Sequence, residues 1–164
     1  MPAGAGLNQL MLRSPRLTLA VAESITCGHV QAAIGAESGA SAYFLGGVTA
    51  YSLEQKVKLL GVNRAHARRV NCVSQRVAVE MARGAGELFG ADLAVATTGY
   101  AEPSPADAVK VPLAWWALCH RQRRGAVIIS GLVELPGATR AQAQERVTRE
   151  VLGRLTAYLR ELRR

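Results

Sequence analysis

Three short apolar runs, each ending in a polar turn and separated by helical stretches, constrain this chain more than any other feature. They are "RLTLAVA" (16–22), "GGVTAYS" (46–52) and "ADLAVATTGY" (91–100). Aliphatic and β-branched residues in runs of this length read as buried strands. The stretches between them have helical patterning. "GHVQAAIGAE" (28–37) follows the first run, and "LEQKVKLLGV" (53–62), with its end marked by Gly61, follows the second. "VSQRVAVEMARGAGELFG" (73–90) precedes the third, with Ser74 as N-cap and Gly90 as terminator. Its Val77, Met81, Ala85 and Leu88 fall on one helical face.

The flanks complete the pattern. "GLNQLMLRS" (6–14) reads as a short amphipathic helix. After the third run, the loop "AEPSPADAVKVP" (101–112) holds three of the six prolines. Two further strands follow, "LAWWALCH" (113–120) and "GAVIISGLVEL" (125–135). The basic turn "RQRRGA" joins them so tightly that they must be antiparallel neighbours. Thr139 then caps a long helix with a stripe of Val147, Val151, Leu155, Leu159 and Leu162. The expected fold is α/β, a three-layer α/β/α sandwich with a mixed, mostly parallel five-stranded sheet. No repeat or linker divides residues 1–164, so a single domain is expected.

Charge and cysteine usage narrow the function classes. Twenty basic and 12 acidic side chains give a formal charge of +8. The arginines are scattered, and no aromatic residues interleave with their clusters as on a single-strand-binding surface. A solvated basic exterior is therefore expected, and a nucleic-acid partner is not. The three cysteines, Cys27, Cys72 and Cys119, are odd in number and widely spaced, which argues against a disulfide framework or a CxxC zinc site. His29, His66 and His120 show no metal spacing. No metal site is expected from these spacings, and a reducing cytoplasm is the natural compartment. "MPAGAGLNQLML" lacks the pattern of a signal peptide. No apolar stretch reaches the roughly 18 residues of a membrane span, so no membrane association is expected.

In open α/β sheets, ligands gather beyond the carboxyl ends of the strands. Three such ends are polar here: "AESITCG", "AYSLEQK" and "TTGYAEP". The first carries Glu23, Ser24, Thr26 and Gly28. A strand-to-helix turn of this kind can present backbone N–H groups to a phosphate or an oxyanion, and Ser24 can be a nucleophile. Equally, Ser24 or Thr26 can simply cap the helix, and Glu23 can favour its positive end. Cys27 is a weaker nucleophile candidate, because His29, two residues on, does not face it on a helix. The second end carries Tyr51 and two of only three lysines, Lys56 and Lys58, in a chain otherwise rich in arginine. Burial can turn a lysine into a base, whereas arginine stays charged. A serine beside such a lysine forms a nucleophilic pair. Tyr51 can line the same pocket or be a half-buried residue at a strand end. The third end offers Thr98 and Gly99, where a glycine permits close approach of the backbone to a ligand.

Taken in order, these segments resemble the C-terminal domain of the CinA proteins, the nicotinamide-nucleotide amidohydrolase family. The family's AESCTGG is "AESITCG" here, and its FxGGxxxYSNEAK is "FLGGVTAYSLEQK". "LLGV", "VSQRVAVEMARGA", "TGYAEP" and "PGAT" follow at matching spacing, so that about residues 7 to 160 are covered. The resemblance implies a self-associating domain that hydrolyses the carboxamide of nicotinamide mononucleotide, a small-molecule nucleotide substrate, to nicotinate mononucleotide and ammonia. It implies no cofactor. It assigns catalysis to Ser24 as nucleophile, Lys56 rather than Lys58 as base, and Tyr51 as an assisting group. Glu23, Thr26, Gly28, Gly46, Gly47, Thr98 and Gly99 become substrate-binding candidates, with the N–H groups of Thr26 to Gly28 facing the oxyanion or phosphate.

Five positions depart from the family pattern: Ile25, Cys27, Leu53, Glu102 and Ala138. Cys27 replaces a glycine, and Glu102 adds negative charge where the resemblance suggests that a phosphate passes. The alternative expectation is a catalytically impaired relative that binds a ligand or partner, with a role related to competence or DNA damage.

Overall fold

The computed structural model describes residues 6–164. The described elements are α1 (Leu7–Leu12), β1 (Leu19–Glu23), α2 (His29–Gly35), β2 (Phe44–Thr49), α3 (Leu53–Leu60), α4 (Arg64–Arg69), α5 (Gln75–Phe89), β3 (Leu93–Tyr100), β4 (Leu113–Gln122), β5 (Gly125–Glu134) and α6 (Arg140–Leu162). The five strands form one sheet in the order β2-β1-β3-β4-β5. β1 pairs in parallel with both β2 and β3. β4 pairs antiparallel with β3 and with β5. Four strands thus point one way and β4 alone runs against them. The expected mixed sheet is present.

Strand alternation divides the core into two unequal halves. Leu19, Val21, Leu93, Val95, Trp116 and Leu118 point into a cluster with α1, α2 and α6. Ala20, Ala22, Ala94, Ala96 and Ala117 point the other way, towards α3, α4 and α5. Successive strand residues face opposite sides, so large and small residues at alternate positions set different layer spacings. The alanine face lets α5 approach closely with Ala78, Met81, Ala82 and Ala85, all fully buried. α5 also packs tightly on α3: a Cβ added at Gly84 would lie 2.1 Å from the Leu60 carbonyl oxygen. That close approach fixes the position of α3, the helix that carries Lys56.

Most helix ends follow local chemistry. Ser74 accepts from the Val77 N–H, and Gly90 closes α5 in the left-handed conformation. Thr139 and Gln142 form a reciprocal capping box on α6. Differences from expectation have similar causes. β2 ends at Thr49 rather than 52, because Ser52 leaves the sheet to cap α3 and accepts from the Gln55 N–H. α4 has no apolar stripe to announce it and rests on an Asn63 cap. Leu88 and Leu162, at the ends of their helices, are exposed.

Candidate active site

The carboxyl ends of β1 and β3, and the chain leaving β2, open onto a polar cleft of about 450 Å³. That volume suits a small organic ligand. Ser24, Tyr51, Lys56, Thr98 and Gly99 all line it.

Ser24 and Lys56 form its floor. Lys56 is 1% exposed and Ser24 8%. The Lys56 Nζ lies 2.9 Å from the Ser24 Oγ. It also donates to the carbonyl oxygens of Ala50 at 2.9 Å and Tyr51 at 2.8 Å. Among the described residues, no carboxylate forms a salt bridge with it. Burial without a counter-ion pushes the Lys56 ammonium below its ordinary pKa, with a small opposing contribution from Cys72. A neutral amine has two N–H bonds and one lone pair. The two carbonyls take the N–H bonds, which leaves the lone pair for the serine hydroxyl proton. Lys58 is exposed, so only one of the two lysines reaches the cleft.

Tyr51 is divided between two tasks. Its backbone carbonyl holds Lys56, while its side chain is 58% exposed at the cleft mouth. Arg140 lines the same cleft, its guanidinium pKa raised chiefly by its hydrogen bond to Glu102 and further by Tyr51. The Thr98 hydroxyl donates to the Cys72 carbonyl at 2.7 Å, tying β3 to the left-handed Asn71–Cys72 turn. Gly99 lets strands meet. A Cβ there would lie 2.3 Å from the Leu113 carbonyl oxygen.

The serine corner differs from the sequence expectation. The Glu23 carboxylate is fully buried and accepts from the N–H groups of Gly28, Val30 and Gln31 at 2.9, 3.1 and 2.9 Å. It thus satisfies the amino end of α2 from the preceding strand. Thr26 is also buried, its hydroxyl 2.7 Å from that of Thr97. The Cys27 N–H donates to the Ser24 carbonyl. The amides of Cys27 and Gly28 are therefore engaged and do not face a ligand. Among the described residues, the N–H groups of Ile25 and Thr26 have no acceptor, and of the two residues Ile25 lines the cleft, directly after the serine.

Gly46 and Gly47 lie within β2, outside the cleft lining. A Cβ at Gly46 would meet the Phe89 ring at 3.0 Å, and one at Gly47 would meet the Gln31 side chain at 2.6 Å. Helix packing explains both glycines.

Three cleft residues escaped the sequence reading. Arg140 opens α6 and pairs with Glu102 at 2.7 Å across the rim. Asp107 accepts from Ser104 Oγ at 2.6 Å and from Asn71 Nδ2 at 3.1 Å. Cys72 sits beside Lys56 with its thiol pKa raised by burial, an effect that Lys56 opposes. Among the described residues, no group of three or more His, Cys, Asp or Glu is arranged to hold a metal ion. Among the described residues, no helix is long and apolar enough to cross a membrane.

These features define an α/β/α sandwich with a buried serine–lysine pair at the carboxyl ends of its parallel strands. The sequence model of the CinA C-terminal domain matches residues 5–159, and the chain belongs to that family. A CinA-like protein of Chlorobium limicola is 39% identical over 154 residues, 93% of this chain and 36% of the relative. Another, from Picosynechococcus, is 45% identical over 109 residues, covering 64% of this chain and 26% of the relative. The chain thus spans about a third or less of the length of these curated relatives. The crystal structure of the competence damage-inducible protein A from Klebsiella pneumoniae superposes with a TM-score of 0.86 at 28% identity, covering 96% of this chain and 94% of that one. A CinA superfamily protein from Escherichia coli gives 0.82 at 27% identity, covering 94% and 86%.

Proposed function

We propose that the chain is a serine–lysine amidohydrolase that converts nicotinamide mononucleotide to nicotinate mononucleotide and ammonia. One observation carries the chemistry: a lysine buried without a carboxylate partner lies 2.9 Å from a serine hydroxyl on the floor of a cleft. The substrate comes from the family resemblance.

In the proposed reaction, neutral Lys56 takes the Ser24 proton as Oγ attacks the carboxamide carbon. The tetrahedral oxyanion develops near the Ile25 N–H. The Lys56 ammonium returns the proton to the departing nitrogen, the C–N bond breaks, and ammonia leaves an acyl ester on Ser24. Water then attacks the ester carbon, again with Lys56 as base. The ester bond breaks, the product carboxylate forms, and Ser24 recovers its proton. The carbonyls of Ala50 and Tyr51 hold Nζ in place throughout.

A second reading has its own support. Glu102 occupies Arg140 at the rim, where the resemblance would have a phosphate pass. A relative that binds a ligand without turnover would fit that arrangement. Ammonia release from nicotinamide mononucleotide by the wild type, compared with Ser24→Ala, separates the two. Turnover lost in the variant supports hydrolysis. Equal inertness of both proteins, with saturable nucleotide binding, supports the second reading.

A further inference from the structure

The charges around the cleft bear on which amide it takes. Among the described residues, four charged side chains line it: Lys56, Glu102, Asp107 and Arg140. Each cation is already engaged. Lys56 is buried and held by Ser24 and two carbonyls, and burial lowers its pKa, which favours the neutral amine. Arg140 donates to Glu102 at 2.7 Å. The amino end of α2 is engaged in the same way, by the buried Glu23 carboxylate. Asp107 has no such partner, and among the described residues it forms no salt bridge. Its bonds from Ser104 and Asn71 both end on Oδ2, and none ends on Oδ1. With Lys56 neutral, as the proposed reaction requires, two carboxylates face one guanidinium across the cleft.

We propose that the same cleft also hydrolyses, and prefers, the unphosphorylated pyridinium nucleoside carboxamide, with Glu102 and Asp107 selecting against a phosphate and Asp107 Oδ1 accepting from a sugar hydroxyl. This rests on the amidohydrolase reading and deepens it. A phosphate brings about two negative charges. Nicotinamide mononucleotide without its phosphate keeps the positive ring and the sugar hydroxyls. Such a molecule is net cationic and complements a cleft in which carboxylates outnumber cations. A carboxylate oxygen with no other donor suits a hydroxyl. The chemistry is otherwise unchanged. The carboxamide C–N bond breaks, water supplies the new carboxylate oxygen, and the nitrogen leaves as ammonia, which takes up the proton of the acid formed.

The test compares ammonia release by the full chain from nicotinamide mononucleotide and from the same compound stripped of its phosphate. kcat/KM is expected to be about tenfold higher for the nucleoside at low salt. Added salt should shrink that preference, because it screens the carboxylates from both ligands. Glu102→Gln and Asp107→Asn should each move the ratio several-fold towards the nucleotide, and together invert it. A wild-type preference for the nucleotide overturns the proposal and leaves the hydrolase reading intact, as does a ratio that both variants leave unchanged. If Asp107→Asn disturbs its loop, Glu102→Gln and the salt series decide alone. Turnover of neither compound sinks the hydrolase reading, and titration calorimetry on the wild type then decides the charge preference. Tighter binding of the nucleoside sustains it. Tighter binding of the nucleotide, or binding of neither, overturns it.

Discussion

The Nζ of Lys56 sits 2.9 Å from the Oγ of Ser24, and its other two hydrogen bonds go to the carbonyls of Ala50 and Tyr51. In the proposed reaction the pair acts as a unit, so its two members should not contribute independently. Ser24→Ala or Lys56→Met alone should lower kcat for amide hydrolysis by about a thousandfold or more. The double variant should be little worse than either single one. Steady-state ammonia release on the three proteins checks this. Additive losses would separate the two residues mechanistically.

Burial of Lys56 makes stability, and with it the proposed activity, depend on pH. Its folded-state pKa lies below the ordinary 10.5. kcat/KM should therefore rise with pH and level off below 10.5, at the folded-state value. For stability, the unfolded chain binds more protons than the native one between the folded-state pKa and 10.5. The stability contributed by this group therefore rises with pH through that window and is constant outside it. Denaturant unfolding at several pH values, for wild type and Lys56→Met, should show the difference moving in favour of wild type as pH rises. A difference that does not change with pH would mean Lys56 titrates at its ordinary value.

Glu102 and Arg140 pair at 2.7 Å on the cleft rim, both about half exposed. Among the cleft-lining residues, Arg140 is the sole arginine. Bound to Glu102, it has less charge to offer a substrate phosphate. Glu102→Gln should lower KM for nicotinamide mononucleotide several-fold and leave kcat nearly unchanged, since Glu102 shares no hydrogen bond with Ser24 or Lys56. Arg140→Ala should raise KM instead. The effect of Glu102→Gln should shrink at high salt, because the pair is solvent-accessible. A change confined to kcat would rule out this role.

How much of this could be read along the chain depended on whether the signal was local. The serine corner and the lysine pair announced themselves by residue type next to a strand end. The choice between Lys56 and Lys58 needed the resemblance, because only packing of α3 on α5 decides which lysine is buried. For Glu23 the sequence left two roles open, substrate binding or the amino end of α2, and the structure shows the second. A carboxylate on the last residue of a strand, five positions before the first N–H it accepts, falls outside the usual capping patterns. Arg140 and Glu102 are 38 residues apart and meet only once the sheet brings β3 beside the start of α6. α4 lacked the apolar periodicity on which helix recognition rests.

Cys27 stands at φ 45°, a left-handed conformation that costs a side-chain-bearing residue about 1–2 kcal/mol. The thiol is exposed, so its removal leaves no cavity. Cys27→Gly should therefore be more stable than Cys27→Ala by about 1 kcal/mol, since alanine keeps the strain. Chemical denaturation of the two variants makes the comparison directly. Equal stability would place the backbone strain elsewhere.

Gly84 links the fold to the site. A Cβ at this position would lie 2.1 Å from the Leu60 carbonyl oxygen and 2.6 Å from its Cα, both backbone atoms that cannot turn aside. Gly84→Ala must push α3 away from α5, at a cost of about 1–3 kcal/mol. Because α3 carries Lys56, the displacement should also lengthen the contact to Ser24 and lower kcat more than it changes KM. Gly153 provides the control. It is a helical, exposed glycine on α6 with nothing within 4 Å of an added Cβ. Gly153→Ala should stabilise the chain by up to about 1 kcal/mol and leave turnover unchanged. Denaturation midpoints and kcat for both variants test the coupling. A Gly84→Ala protein that loses stability but keeps full kcat would show that the Lys56 position tolerates movement of its helix.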